Sequence, residues 1–207
     1  MAEVEALVDP AVSRAKFDRE LAQYRALEDD HLRRGWWLLK AEFPEVFVVF
    51  AAPQLKPPAV VFGVLLDFTN YDLWPPSVLL VDPFTRVPYK ASELPSVLRR
   101  RIGPPLRLLA GPGMLEGGPA MVVPQETRLM MWHNVNDVPF LCLPGVREYH
   151  DHPGHSGDPW LLHRLGGEGR LHFLLEKLYQ YGVKPITDYN VQLVPQVSGF
   201  AQPEAPE

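Results

Sequence analysis

The sequence predicts an α+β fold in which one antiparallel β-meander lies between an N-terminal and a C-terminal helix. Three observations predict it: an amphipathic segment after an Asp-Pro pair, three apolar runs rich in β-favouring residues, and a leucine-rich periodic segment near the C-terminus. At 207 residues, the chain is long enough for one hydrophobic core and too short for two substantial ones. A single domain is therefore expected.

The N-terminal helix is predicted over residues 10–34. Asp9 is a suitable cap for the free amides of the first turn, and Pro10 suits the first helical position. Apolar residues spaced four and three apart define one face, namely Phe17, Leu21 and Tyr24. Gly35 then marks the end of the helix.

The meander is predicted to have three strands. An apolar block at residues 36–39 leads into the first strand at 43–51, and the other two strands follow at 59–68 and 77–81. Residues 69–76 between the last two contain turn formers and a Pro-Pro pair.

Prolines interrupt every apolar run between residues 82 and 125, which predicts a proline-rich, irregular insertion. Within it we expect a short helix at 94–101, a strand at 106–110 and a mobile loop at 111–120.

The last strong element is a helix over residues 170–181, with Gly182 as its stop. Its apolar face carries Leu171, Leu174, Leu175 and Leu178. We expect the domain to span residues 1–194 and residues 195–207, which are small, polar and proline-bearing, to form a flexible tail.

The formal net charge of -5 argues against nucleic acid or an anionic membrane as a partner, because neither favours an acidic protein without a local basic patch. The one candidate patch is Arg99, Arg100 and Arg101. The sequence has neither a stretch long enough to span a membrane nor the charge and apolar order of a signal peptide, so a cytoplasmic location is expected.

Cys142 is the single cysteine, and composition leaves three roles open for it: a buried apolar filler, a reactive thiol or a metal ligand. Residues 132–160 around it hold most of the histidines of the chain. A thiol near imidazoles suits nucleophilic catalysis, because a neighbouring cation favours the thiolate. The same atoms could bind zinc through Cys142, His150, His152 and His155.

The order of several short motifs resembles the ubiquitin-conjugating enzymes. Tyr71 stands at the family's distance from a Pro-Pro pair, Trp132-His133-Asn134 stands where the family has His-Pro-Asn, and Cys142-Leu143 matches its Cys-Leu. Asn134 precedes Cys142 by eight residues, the family's usual separation. A tryptophan in Asp158-Pro159-Trp160 and the helix at 170–181 complete the order.

Two insertions relative to the family pattern flank Cys142: the chain is longer than usual both before Asn134 and between Cys142 and Trp160. The His and Pro of the tripeptide are also missing from their places. In these respects the chain is similar to conjugating enzymes of bacterial operons for ubiquitin-like modification. That resemblance implies a ubiquitin-conjugating-enzyme-like fold with an active-site loop, and a role in antiviral defence.

The resemblance also implies what each site residue does. Cys142 would accept a ubiquitin-like modifier from an activating enzyme as a thioester, and would pass it to an amine of a protein substrate without any cofactor. Asn134 would stabilise the oxyanion directly or hold the loop that does, and His152 or His150 would accept or relay the proton of the incoming amine.

Two other functions remain open from the sequence: a Cys/His metal-binding protein or small metalloenzyme, and a catalytically inert adaptor of the same fold. Asn134 also fits a turn in the run His-Asn-Val-Asn-Asp, and the histidines that follow Cys142 fit a solvated polar loop.

Overall fold

A four-stranded antiparallel sheet is the centre of the fold in the computed structural model, which describes residues 7–108, 121–123 and 125–189. The strands lie in chain order and are β1 (Trp36–Glu42), β2 (Glu45–Ala52), β3 (Ala59–Asp67) and β4 (Ser77–Val81). The prediction of a mixed α+β fold with an antiparallel meander is confirmed. The predicted number of three strands is wrong, because the sheet has four. The apolar block at 36–39 is itself part of a strand, because the chain turns back after Glu42 and pairs Trp36 with Phe50.

The predicted N-terminal helix is two helices, α1 (Pro10–Arg25) and α2 (Glu28–Arg33). The side chain of Asp9 caps α1 by accepting the Ala11 N–H at 2.8 Å, as predicted. The break before α2 turns His31 into the core, where its ring stacks on that of Trp36 with centroids 4.6 Å apart.

Gly35 ends α2 as predicted, with a φ of +82°. A Cβ at this position would collide with the carbonyl of Ala51, so the close approach of the chain to β2 requires glycine.

Helices α1 and α5 (Leu171–Gly182) cover one face of the sheet. Residues of β2 that point to this face, such as Val46, Val48 and Phe50, are fully buried. The predicted apolar faces of both helices are confirmed, since each of these side chains is buried: Phe17, Leu21, Tyr24, Leu171, Leu174, Leu175 and Leu178.

The region predicted to be irregular contains a two-stranded antiparallel ribbon. Strand β5 (Arg99–Arg101) pairs with β8 (Glu126–Arg128), and β6 (Leu106–Leu108) pairs with β7 (Met121–Val123). The prolines at 104 and 105 fall between the two paired parts, where no ladder hydrogen bond is lost.

The predicted helix at 94–101 is wrong, because Arg99–Arg101 pair with β8 and leave no helical turn after Pro95. A single 3₁₀ turn at Ala91–Glu93 precedes this position. The strand predicted at 106–110 is confirmed for Leu106–Leu108. The predicted loop at 111–120 and tail at 195–207 lie outside the described residues.

Short elements follow the ribbon. They are β9 (Met130–Met131), β10 (Phe140–Leu141), α3 (Arg147–Asp151) and α4 (Trp160–Arg164). Strands β9 and β10 pair with each other, and α3 packs near β4 and β10. No helix in the described ranges is long and apolar enough to cross a membrane.

Candidate active site

Cys142 directly follows β10 and is held at the edge of the core. Its N–H donates to the carbonyl of Leu129 at 2.7 Å, and both of its chain neighbours, Leu141 and Leu143, are buried. The thiol itself is half-buried. Its backbone is thus fixed by strand pairing while its sulfur lies near the surface.

Gly145 lets the segment after Cys142 lie against the chain that leads into α5. A Cβ at this position would collide with the carbonyl of Glu168. The close approach brings the loop that carries the thiol next to the segment that carries Glu168.

His155 is the histidine that reaches the thiol. Its Nε2 lies 3.6 Å from Sγ of Cys142, within hydrogen-bonding distance for sulfur. The imidazole stands at the end of a 3₁₀ turn, Pro153–His155. The N–H of Gly154 in this turn donates to Nδ1 of His152. The ring of Tyr149 stacks on His155 with centroids 3.8 Å apart and an interplanar angle of 21°.

Burial raises the pKa of the Cys142 thiol, and the positive charge of Arg100 opposes this effect only in part. The resting group at neutral pH is therefore the thiol, not the thiolate. A base that accepts the proton during reaction is needed for nucleophilic attack, and His155 lies at the right place for it.

A polar network extends from Tyr149 away from the thiol. The Tyr149 hydroxyl donates to Asp158 Oδ2 at 2.6 Å, and Nε2 of His163 donates to Asp158 Oδ1 at 2.7 Å. Nδ1 of His163 lies 2.9 Å from Glu168 Oε2. The network ties the aromatic partner of His155 to α4 and to the segment before α5.

The pKa values of this network agree with its charges. Burial and then the hydrogen bond to Asp158 raise the pKa of Tyr149 to about 12, and the bonds from Tyr149 and His163 lower the pKa of Asp158. Burial alone would lower the pKa of His163, but Asp158 and Glu168 outweigh it and raise that pKa. The imidazolium of His163 is thus stabilised between two carboxylates.

His150 does not face the sulfur. Its Nδ1 lies 3.0 Å from the carbonyl oxygen of Asp158 and its Nε2 lies 2.6 Å from that of Pro144. Both ring nitrogens are used to join the loop after Cys142 to the segment before α4, so this residue has a structural role.

His152 lies beside His155, and the described part of the chain shows no hydrogen bond between its side chain and Cys142. Its ring stacks between those of His133 and Phe140, with centroids 5.3 Å and 5.1 Å away, and lies 5.5 Å from the ring of His155. Because its Nδ1 caps the 3₁₀ turn, His152 positions His155.

Asn134 occupies an exposed turn. Its Oδ1 accepts the N–H of Asn136 at 3.0 Å, and its own N–H donates to Asp137 Oδ2 at 2.7 Å. The structure gives its side chain no hydrogen bond to Cys142 among the described residues. The eight-residue spacing is present in the chain, but the carboxamide stabilises its own turn.

The four alternative zinc ligands do not converge. Within residues 7–108, 121–123 and 125–189, no three His, Cys, Asp or Glu side chains are grouped so that they could hold a metal ion. Of the four, Cys142 and His155 are in contact, whereas both nitrogens of His150 are turned to backbone carbonyls.

Comparison with known proteins places the chain in a family. A protein of Sinorhizobium fredii (strain NBRC 101917 / NGR234) with the name uncharacterized protein y4jH is 43% identical to it over 199 residues, which is 95% of this chain and 94% of that protein. The model of the Y4jH family, described as Y4jH-like, matches residues 8–186. The chain belongs to the Y4jH family.

The match of the Y4jH family model includes every residue of the site, from Cys142 to Glu168. The sequence predicts Cys142 as a nucleophile, gives His155 only as a metal ligand, and does not indicate Tyr149, Asp158 or His163 as partners. The histidine content indicates the segment that lies near the thiol. A 3₁₀ turn and two short helices decide which ring faces the sulfur, and such short elements leave no periodic pattern in the sequence.

Proposed function

We propose that this Y4jH-family protein is a conjugating enzyme that carries a ubiquitin-like modifier on Cys142 as a thioester and transfers it to an amine of a target protein. The single observation that carries the proposal is the contact between Sγ of Cys142 and Nε2 of His155 at 3.6 Å. A thiol beside an imidazole is the arrangement that nucleophilic cysteine chemistry needs.

The order of elements supports the same proposal. An N-terminal helix, a four-stranded antiparallel meander, a cysteine on the segment after the sheet, a tryptophan and a C-terminal helix follow one another as the resemblance to ubiquitin-conjugating enzymes implies. Tyr71 and Trp160, which belong to the motifs that carry this resemblance, are both buried.

In the first step the Cys142 proton passes to Nε2 of His155, and the sulfur attacks the C-terminal carbonyl of the modifier. A new C–S bond forms, the C–S bond to the cysteine of the activating enzyme breaks, and the proton passes from His155 to the thiolate that leaves. The raised pKa of the Cys142 thiol makes its thiolate a poor leaving group towards any nucleophile, so the departing sulfur needs a proton in the second step.

In the second step the neutral amine of the target attacks the thioester. A C–N bond forms, the C–S bond breaks, and the proton of the amine returns to the sulfur, directly or through His155. The proposal assigns no step to His150, because both of its ring nitrogens face backbone carbonyls, and none to Asn134, because its Oδ1 accepts within its own exposed turn and its side chain has no hydrogen bond to Cys142 among the described residues.

The test combines the protein with a ubiquitin-like modifier, its activating enzyme and ATP, followed by a non-reducing gel. The expected result is an adduct that dithiothreitol removes, that is absent in Cys142→Ala and that becomes resistant to dithiothreitol in Cys142→Ser, where it is an oxygen ester. Absence of any adduct with an activating enzyme that charges its own cysteine would contradict the proposal.

An inert adaptor of the same fold is the second candidate, and one observation favours it. Burial raises the pKa of Cys142, which is what a cysteine without chemistry would also show. An adaptor would bind the modifier or its activating enzyme as tightly in Cys142→Ala as in the wild type, and would form no adduct.

A further inference from the structure

The ribbon of β5 to β8 is strongly basic in a chain of net charge -5. Its paired strands carry one carboxylate, that of Glu126, and five arginines: Arg99, Arg100, Arg101, Arg107 and Arg128. All three side chains of β5 are exposed. The paired strands of the ribbon therefore have a surplus of four positive charges. Because the whole chain has a formal net charge of -5, the residues outside these strands have a surplus of nine negative charges.

The protein itself neutralises little of this charge. Arg99 lies 3.7 Å from Glu126 with 66% of its side chain exposed, so the pair is weak. The guanidinium of Arg128 lies 4.7 Å from the ring centroid of Trp132. For Arg100 and Arg101, the described part of the chain provides no ion-pair partner. Like charges so close together are unfavourable unless an external anion compensates them.

The base of the ribbon lies next to the thiol. The N–H of Leu129, one residue after β8, donates to the carbonyl of Leu98 at 2.9 Å, and the carbonyl of Leu129 accepts the N–H of Cys142 at 2.7 Å. Leu98, Leu129 and Cys142 thus stand side by side on three adjacent segments. The end of β5 that begins after Leu98 is therefore separated from Cys142 by one segment only.

We propose that the exposed arginines of β5 bind an acidic segment of the acceptor protein and thereby present its reactive amine to Cys142. The inference rests on the proposed function and identifies its substrate class: lysines that are flanked by Asp and Glu residues. The cysteine sets the chemistry, and the ribbon sets which amines reach it.

Two charge effects favour an acidic acceptor. A lysine on a neutral or basic surface arrives as a cation and is repelled by the arginines, whereas flanking carboxylates form charge-assisted hydrogen bonds with them. Once the segment is bound, the arginines pair with its carboxylates, and the positive charge that remains near the amine disfavours the protonated form of the amine. The amine is then more easily available as the neutral nucleophile that aminolysis needs.

The same charges would attract nucleic acid, but the rest of the protein disfavours it. A polyanion that extends beyond the short ribbon is repelled by the remainder of the chain, whose formal charge is negative by nine. A short acidic peptide segment is confined to the ribbon and avoids that repulsion.

The test measures binding by fluorescence anisotropy with the full chain and two labelled peptides that contain one lysine, flanked by glutamates in the first and by glutamines in the second. We expect the glutamate peptide to bind about tenfold tighter or more at low salt, equal to roughly 1.4 kcal/mol, and to lose this advantage at high salt. The double variant Arg100→Gln/Arg101→Gln should abolish the difference between the peptides. The matched variant Arg25→Gln/Arg33→Gln, which removes two exposed arginines from α1 and α2, should leave it unchanged.

Equal binding of the two peptides, or an unchanged difference in the ribbon variant, would overturn the inference. A single-stranded oligonucleotide that binds the ribbon more tightly than the glutamate peptide would overturn it as well, in favour of nucleic acid. Because peptide binding needs no thioester, the two proposals fail separately. Loss of loading on Cys142 with intact peptide binding contradicts the proposed function alone, and intact loading without peptide preference contradicts the ribbon proposal alone.

Discussion

The ring of Tyr149 lies nearly parallel to that of His155, with centroids 3.8 Å apart, and it fixes the imidazole whose Nε2 faces the Cys142 sulfur. Tyr149 is in turn held by Asp158, which accepts its hydroxyl at 2.6 Å. The thiol, the imidazole that faces it and the ring that stacks on that imidazole therefore come from the end of β10, a 3₁₀ turn and α3 rather than from the four-stranded sheet.

Loss of the Tyr149 ring should release His155 from the thiol. We expect Tyr149→Leu to lower the rate of Cys142 alkylation by iodoacetamide at neutral pH by about tenfold, equal to a change of about one pKa unit, because the base no longer accepts the proton. Tyr149→Phe keeps the stacked ring and should retain most of the rate. The pH profile of alkylation decides the outcome: identical profiles for both variants would mean that Tyr149 does not position His155.

His31 should make the fold sensitive to acid. Burial, with His172 and Arg34 adding to it, lowers the pKa of His31 to about 4, so the folded protein keeps this ring neutral while the unfolded chain binds a proton below about pH 6.5. Stability that is present above pH 6.5 is then lost as the pH falls towards 4, at roughly 1.4 kcal/mol per pH unit. Between pH 7 and pH 5 this amounts to about 2 kcal/mol.

The measurement is urea unfolding at pH 7 and pH 5 for the wild type and His31→Phe, which keeps an aromatic ring against Trp36 but cannot titrate. The variant should lose about 2 kcal/mol less between the two pH values than the wild type does. His133→Gln, at an exposed histidine, is the control and should follow the wild type. A variant that loses as much stability as the wild type would show that His31 is not the group that titrates.

The packing of α5 on the sheet gives a prediction with an internal control. Leu174 is 0% exposed and Leu161 in α4 is 69% exposed. Leu174→Ala should lower the free energy of unfolding by about 2 to 5 kcal/mol, through lost burial and the cavity that remains, and Leu161→Ala by less than about 0.5 kcal/mol. Similar urea midpoints for the two variants would contradict the placement of α5 in the core.

The elements that could be predicted from the sequence are those with a long, regular pattern. A pattern repeated over several residues indicates α5 through its leucine spacing, and β2 and β3 through their valine-rich runs. The Asp9 cap depends on one side chain and the amide two residues later, so it is local as well. The break between α1 and α2 could not be predicted in this way, because it depends on His31 packing against Trp36.

The ribbon was missed for a similar reason. Prolines in the sequence indicate interruption, but they do not show that Arg99–Arg101 pair with Glu126–Arg128 far along the chain. The site was predicted at Cys142 because a lone thiol near histidines is visible in the sequence. The choice of His155 over His150 and His152 depends on backbone carbonyls and ring stacking that only the folded chain brings together.

The measurement that tests the central claim most directly is transfer of an acyl group to Cys142 from a small donor, a glycine-ending peptide α-thioester, followed by intact mass. The account predicts an adduct on the native protein that dithiothreitol removes and that is absent in Cys142→Ala. The adduct should form at least about tenfold faster than on a free peptide of residues 138–146, because that peptide has the same local sequence but no His155. His155→Gln should lose this advantage. A native thiol that reacts no faster than the free peptide would contradict the account, because burial and not activation would then govern Cys142.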